Sequence, residues 1–285
     1  MQTNLTPFAE LRARTFLWRA LLAFILRRAL LALIASLIIG ESAEKKDAVT
    51  FLLLYPIFFF LCLPVLFRAR ISYQRLWGRC PPWATLKNYT FLAVPLVIFS
   101  VAASYLLYFP LSYLVPQFVQ AWYLEPPLLQ EPEDVLTNLL NFFTAALIAP
   151  VFEEFFFRGI LLTRWTTKWG IRRAILASSL VFALLHADLI GAFFFGYVMA
   201  VLYIQTKSLF VPICIHIANN VIALAIGLTA TLLSESDSPE TLAEFQASWW
   251  LGLLALVMIT PWAIRFIKRQ FPKANWRAPY FAEEV

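Results

Sequence analysis

The chain has 285 residues, of which 61% are apolar and only 14% charged. Soluble domains are about 45–50% apolar and about 25% charged, so the composition excludes a water-soluble globule and predicts a polytopic helical membrane protein. The net charge of +6 does not point to nucleic acid, because the cations are sorted by loop.

Eight apolar segments follow in chain order, at roughly 22–41, 49–67, 89–114, 136–160, 172–188, 190–206, 209–231 and 248–267. They predict an all-α bundle of about eight transmembrane helices. The first is the weakest, since Arg27 and Arg28 interrupt it, and residues 8–26 read as an interfacial amphipathic helix with snorkelling arginines. Met1 to Arg19 lacks a small-residue cleavage site, so no cleavable secretion signal is expected. Loop 68–88 carries Arg68, Arg70, Arg75, Arg79 and Lys87 and no acid. Loop 115–135 carries Glu125, Glu131, Glu133 and Asp134 and no cation. Arg164, Lys168, Arg172 and Arg173 follow the fourth segment, and Glu235, Asp237, Glu240 and Glu244 follow the seventh. This alternation predicts that both termini are cytoplasmic. The stretch around Pro126, Pro127 and Pro132 reads as an extended external loop. The three cysteines, Cys62, Cys80 and Cys214, are too scattered for a disulfide framework or a zinc motif.

The fourth segment contains two adjacent carboxylates, Glu153 and Glu154, followed by Arg158. An ionisable group at hydrocarbon depth costs several kcal/mol unless paired or hydrated, so it marks a candidate functional site. On a helix, Glu154 and Arg158 share a face and pair in the favourable order. A buried ion pair that only orients helices accounts for these two as well as a functional role does. Glu153 lies about 100° away around the helix, has no local cation left, and is free to face a cavity. Pro150 removes a backbone hydrogen bond just before it, which predicts a kink and a released carbonyl.

The only two histidines, His186 and His216, also sit in apolar segments. Either alone would serve equally well as an interfacial residue. Asn220 shares a helix face with His216, whereas Asn219 points elsewhere and suits packing. Depth arithmetic brings the set together. Glu153 lies seventeen residues before Gly170 and His186 sixteen after it, so an antiparallel hairpin puts both roughly 25 Å from the turn. His216 reaches the same level only if that basic hairpin protrudes about 10 Å beyond the membrane face. The fifth span is then short, and Asp188 and Gly191 dip inward in a partly hydrated turn. Asp188 itself reads as an ordinary loop residue.

A carboxylate beside an imidazole can hold and deprotonate a water, and a second imidazole with an amide can donate to an oxyanion. No Ser or Cys stands at helical spacing from a base. A zinc site built from one Glu and two His competes for the same residues, without the His-Glu-x-x-His pattern.

The order Glu-Glu-x-x-x-Arg (153–158), Phe-x-x-x-His (182–186) and His-x-x-x-Asn (216–220) resembles the CPBP family, the CAAX proteases and bacteriocin-processing enzymes related to the Ras-converting endopeptidase. The resemblance extends over about residues 136–230, including Gly196 to Tyr203, with Ala200 where relatives often have glycine. It implies eight transmembrane helices and an intramembrane glutamic endopeptidase that needs no cofactor. Glu153 would activate the water and His186 would assist. His216 and Asn220 would form the oxyanion hole, with Glu154 and Arg158 in support. It divides the chain into N-terminal spans and loops (1–135), a catalytic core of about four spans (136–230), and an acidic loop, last span and basic cytoplasmic tail (231–285). Its partners would be a peptide or membrane-protein substrate, lipidated or not, and the lipid bilayer of a prokaryotic or thylakoid-type membrane. The alternatives are a non-catalytic scaffold or chaperone of the same family and a zinc-dependent membrane metalloprotease.

Overall fold

The computed structural model describes residues 7–8, 11–37, 43–124, 135–233, 241–273 and 275–281. The acids expected in the external loops at Glu125, Glu131, Glu133, Asp134, Glu235, Asp237 and Glu240, and the proline-rich stretch, lie outside the described residues. The described chain is helical, with no strand. Its long helices are α1 (Ala13–Leu37), α2 (Ala43–Arg68), α3 (Trp83–Leu114, with a turn at Phe91), α4 (Val135–Trp169), α5 (Ile171–Ala183), α6 (Leu189–Thr206), α7 (Phe210–Leu233) and α8 (Trp249–Gln270).

Six of these, α2, α3, α4, α6, α7 and α8, are long and apolar enough to cross a membrane. The other two expected spans depart from that standard for separate reasons. α1 is one continuous helix of 25 residues, not an interfacial helix followed by a span, and it carries Arg14, Arg19, Arg27 and Arg28. Arg27 is nearly buried and pairs with Asp47 of α2 at 2.6 Å. α5 has only 13 residues, where a span over 172–188 was expected. At 1.5 Å per residue it rises about 20 Å, too little for a bilayer core of about 30 Å.

Short α5 ends in a hairpin tip that exposes Leu184 and Leu185 but ties its polar groups to α3. Asp188 caps α6 by accepting from the Gly191 N–H at 2.9 Å, and the Ser100 hydroxyl of mid-α3 donates to the same carboxylate. Tyr108 of α3 donates to the Ala187 carbonyl at 2.5 Å. Asp188, read from sequence as an ordinary loop residue, is therefore the helix cap that ties the tip to α3, because a buried helix start must satisfy its first N–H groups. α6 behind it is apolar all round and is the most enclosed of the spanning helices, packed against α3, α4, α5 and α7.

At the other end of the bundle, Gly170 turns α4 into α5 with φ +77°, as its position in the sequence predicted. Two further contacts clamp this face. The Tyr203 hydroxyl donates to the Leu76 carbonyl, and the Leu209 N–H to the Trp77 carbonyl, both at 2.9 Å. Gly78 is required there, since its φ is +67° and a Cβ would collide with the Lys207 carbonyl. The terminal segments meet at the same end: Phe8 packs edge-on against Tyr280, and the Ser72 N–H donates to the Tyr280 hydroxyl.

Gly196 of α6 packs directly against Ser179 of α5. A Cβ there would lie 3.1 Å from Ser179 Cα and 3.4 Å from the Arg158 Nη2. We expect Gly196→Val to cost about 1–3 kcal/mol by overpacking. Thermal unfolding of the detergent-solubilised protein checks this, and an unchanged midpoint would contradict the close packing.

Candidate active site

The site begins with an irregularity in α4. Two stretches of this helix, Thr144–Ile148 and Phe155–Leu162, have π-helical hydrogen bonding, and they flank Pro150, Glu153 and Glu154. In the first stretch the Ala149 N–H bonds the Thr144 carbonyl, five residues back. The next carbonyl, Ala145, would look to residue 150, where proline has no N–H. Asn220 Nδ2 of α7 donates to that carbonyl at 2.8 Å. The released carbonyl expected near Pro150 is thus Ala145, and it docks α7 against α4.

Glu154 is completely buried and pairs with Arg158 at 2.9 Å within the helix, as their spacing predicted. Arg158 is also buried. Its Nη2 donates to the Gly196 carbonyl at 3.4 Å, and its guanidinium lies 4.5 Å from the centre of the Phe182 ring. The same oxygen of Glu154 that accepts from Arg158 also meets His216 Nδ1 at 2.8 Å, while its other oxygen is buried with no hydrogen-bond partner among the described residues. An ionised carboxylate only accepts, so His216 carries its proton on Nδ1 and presents Nε2 elsewhere. His186 is oriented alike by a different partner: its Nδ1 lies 2.8 Å from the Phe182 carbonyl, which also only accepts.

Both free Nε2 atoms face one oxygen. Glu153 Oε2 lies 3.9 Å from His186 Nε2 and 3.9 Å from His216 Nε2. These gaps are too long for a direct hydrogen bond. A single water spans such a gap with two bonds of about 2.8 Å meeting near a right angle. Exposure is graded across the cluster: the His186 side chain is 34% exposed, Glu153 18%, His216 4% and Glu154 0%. His186 therefore stands at the mouth and Glu154 at the floor. Phe182 and Phe195 wall the imidazoles, at 4.3 Å from His186 and 4.7 Å from His216 between ring centres.

Glu153, His186 and His216 thus converge, with Glu154 and Arg158 directly behind His216. Asn220 sits one turn from His216, and its described hydrogen bonds run to the Ala145 carbonyl and to the Asn219 side chain. Asn219, expected to point elsewhere, donates its side-chain Nδ2 to the Asn220 side-chain Oδ1 at 3.3 Å. A zinc ion held by Glu153, His186 and His216 would need three donors within about 2.0–2.2 Å of one point. Among the described residues, no group of three His, Cys, Asp or Glu side chains has that arrangement.

One contact was not legible in the sequence. Tyr55 of α2 donates its hydroxyl to Glu153 Oε1 at 3.1 Å. It lies 98 residues away in an ordinary apolar span, and only its place before Pro56 sets it apart.

Residues 135–222 match the family model described as type II CAAX prenyl endopeptidase Rce1-like. A Bacillus subtilis (strain 168) protein named "Putative membrane peptidase YdiL" is 32% identical over 92 residues, covering 31% of this chain and 38% of that protein. The chain therefore aligns with well under half the length of this curated relative. No solved structure matches. The matched stretch contains every motif from Glu153 to Asn220, and over that stretch the chain is similar to Rce1-like membrane peptidases of the CPBP family.

Proposed function

We propose that the protein is a CAAX-type membrane endopeptidase in which Glu153 is the general base for a water. The observation that carries this reading is the pair of equal 3.9 Å separations between Glu153 Oε2 and two Nε2 atoms whose rings are fixed through Nδ1. In the proposed reaction, Glu153 removes a proton from the water as its oxygen attacks the carbonyl carbon of the scissile amide. The resulting oxyanion takes hydrogen bonds, and collapse transfers a proton to the departing amine. The products are a carboxylate and an amine, with no covalent intermediate.

The two histidines then divide the work by what holds them. Glu154 is the charged partner that stabilises an imidazolium, so we assign His216 the donor role toward the oxyanion. His186 is held by a neutral carbonyl, stands at the mouth, and assists the water. Asn220 keeps a second amide N–H beyond the one given to Ala145, which supports its share in the oxyanion hole. The substrate would be a peptide or a membrane protein, with a lipidated C-terminal segment as the first class to test. The basic hairpin and both terminal segments share one end of the bundle, which supports a cytoplasmic position for both termini.

A fluorescence-quenched prenylated peptide ending in a CAAX sequence, presented to the protein in proteoliposomes, tests the reading. Glu153→Gln should lower turnover by at least about 10²-fold with an unchanged unfolding midpoint. Turnover that persists in Glu153→Gln would remove Glu153 as the base. A chelator should leave the wild type active, and loss of activity that zinc restores would favour the metalloprotease. A wild type that leaves the peptide intact would remove the CAAX-type substrate.

Arg158→Met strands Glu154 as an uncompensated buried charge and should cost about 3–5 kcal/mol of stability. Adding Glu154→Gln should recover part of that loss in the same unfolding measurement. No recovery would mean that Arg158 acts by packing alone.

A further inference from the structure

We propose that Tyr55 is a positioning residue for Glu153: its hydroxyl occupies one carboxylate oxygen and leaves the other as the base. The proposal rests on the reading of Glu153 as general base and extends it to the N-terminal third of the chain, outside the matched stretch 135–222.

The terminal torsion of a glutamate side chain is broad and nearly two-fold, so an unanchored carboxylate swings and exchanges its two oxygens. Glu153 is anchored. Oε1 accepts from Tyr55 at 3.1 Å, while Oε2 faces both imidazoles. The tyrosine must be the donor, because an ionised carboxylate has no proton to give. The proton taken from the water is thereby directed to Oε2, the oxygen facing the histidines, from which it is handed on to the leaving group.

Tyr55 is itself held in place. Phe51, Tyr55 and Phe59 recur every four residues along α2 and form one row on a single face. Phe51 packs edge-on against the Tyr55 ring at 6.0 Å, and Phe152 stacks on it at 6.1 Å with 26° between planes. Phe59 packs edge-on against Phe152 at 5.5 Å. Phe152 immediately precedes Glu153, so the aromatic row sets the distance from α2 to the residue that carries the base.

The imidazoles of His186, after α5, and His216, of α7, stand 3.9 Å from the other oxygen of this carboxylate. Tyr55 meets it by a direct hydrogen bond, so removal of the hydroxyl reads directly in the vibrations of the Glu153 carboxylate.

Infrared spectroscopy of the full-length protein in lipid nanodiscs provides a measurement independent of turnover. The carboxylate bands that disappear in Glu153→Gln identify Glu153, and the splitting between its antisymmetric and symmetric stretches is compared among variants. Tyr55→Phe keeps the ring in the aromatic row and removes only the hydroxyl. It should shift that splitting, because one carboxylate oxygen loses its donor. Replacing Tyr55 with 3-fluorotyrosine, a stronger donor, should shift it the opposite way. A splitting that matches the wild type in both would overturn the proposal and leave Tyr55 as packing. If the splitting moves while Glu153→Gln keeps full turnover, the hydrogen bond stands and the base reading falls. If Glu153→Gln abolishes turnover and the splitting stays fixed, the base reading stands and Tyr55 has no part in it.

Discussion

The fold is organised around three ionisable side chains, Glu153, Glu154 and Arg158, within six residues of an apolar stretch of α4. A lone charge at this depth costs several kcal/mol, so each must be matched by something inside the protein. The cheapest match is local: Arg158 reaches Glu154 across one helical turn at 2.9 Å. That pair still needs desolvation offset by further hydrogen bonds, which come from the Gly196 carbonyl on α6 and His216 Nδ1 on α7. The charge pair thus recruits two other helices, and glycine at position 196 lets α5 and α6 approach closely enough for the carbonyl to be reached.

Glu153 is handled differently, and the proposed division between supporting and reacting groups follows from that difference. It has no Lys or Arg at salt-bridge distance among the described residues, only a tyrosine hydroxyl on one oxygen and two imidazole nitrogens at 3.9 Å from the other. A carboxylate paired as tightly as Glu154 would be a poor base, because its lone pairs are committed to a cation. Leaving Glu153 partly exposed and lightly bonded keeps one oxygen available to a proton.

Helical irregularity near the site has the same economy. Pro150 frees a carbonyl, the π-helical turns on either side re-space the backbone, and Asn220 takes up the freed Ala145 oxygen. The short α5 belongs to this pattern. Its 13 residues end short of a full span, so that His186 at the hairpin tip stands at the mouth of the site, 3.9 Å from Glu153. A full-length span there would carry His186 past the level of Glu153. The tip is then secured by Asp188, Ser100 and Tyr108 because an unsatisfied helix start is costly away from water.

The linear sequence by itself determined the membrane class, the approximate bounds of the long helices, the Gly170 turn and the Glu154–Arg158 pair. Each rests on composition or on spacing within one helix, where geometry follows from 3.6 residues per turn. Depth counting from Gly170 also put Glu153 and His186 at one level, since rise per residue is nearly constant. What only the tertiary structure decided are the contacts between helices that spacing does not relate: Tyr55 on Glu153 across 98 residues, His216 on Glu154 across 62, Asn220 on Ala145 across 75, and Asp188 on Ser100 across 88. Periodicity tells which face of a helix is polar, but not which neighbour that face meets or how the helix is rotated against it. Those choices follow from packing the whole bundle at once, where one small residue such as Gly196 sets how closely two helices approach.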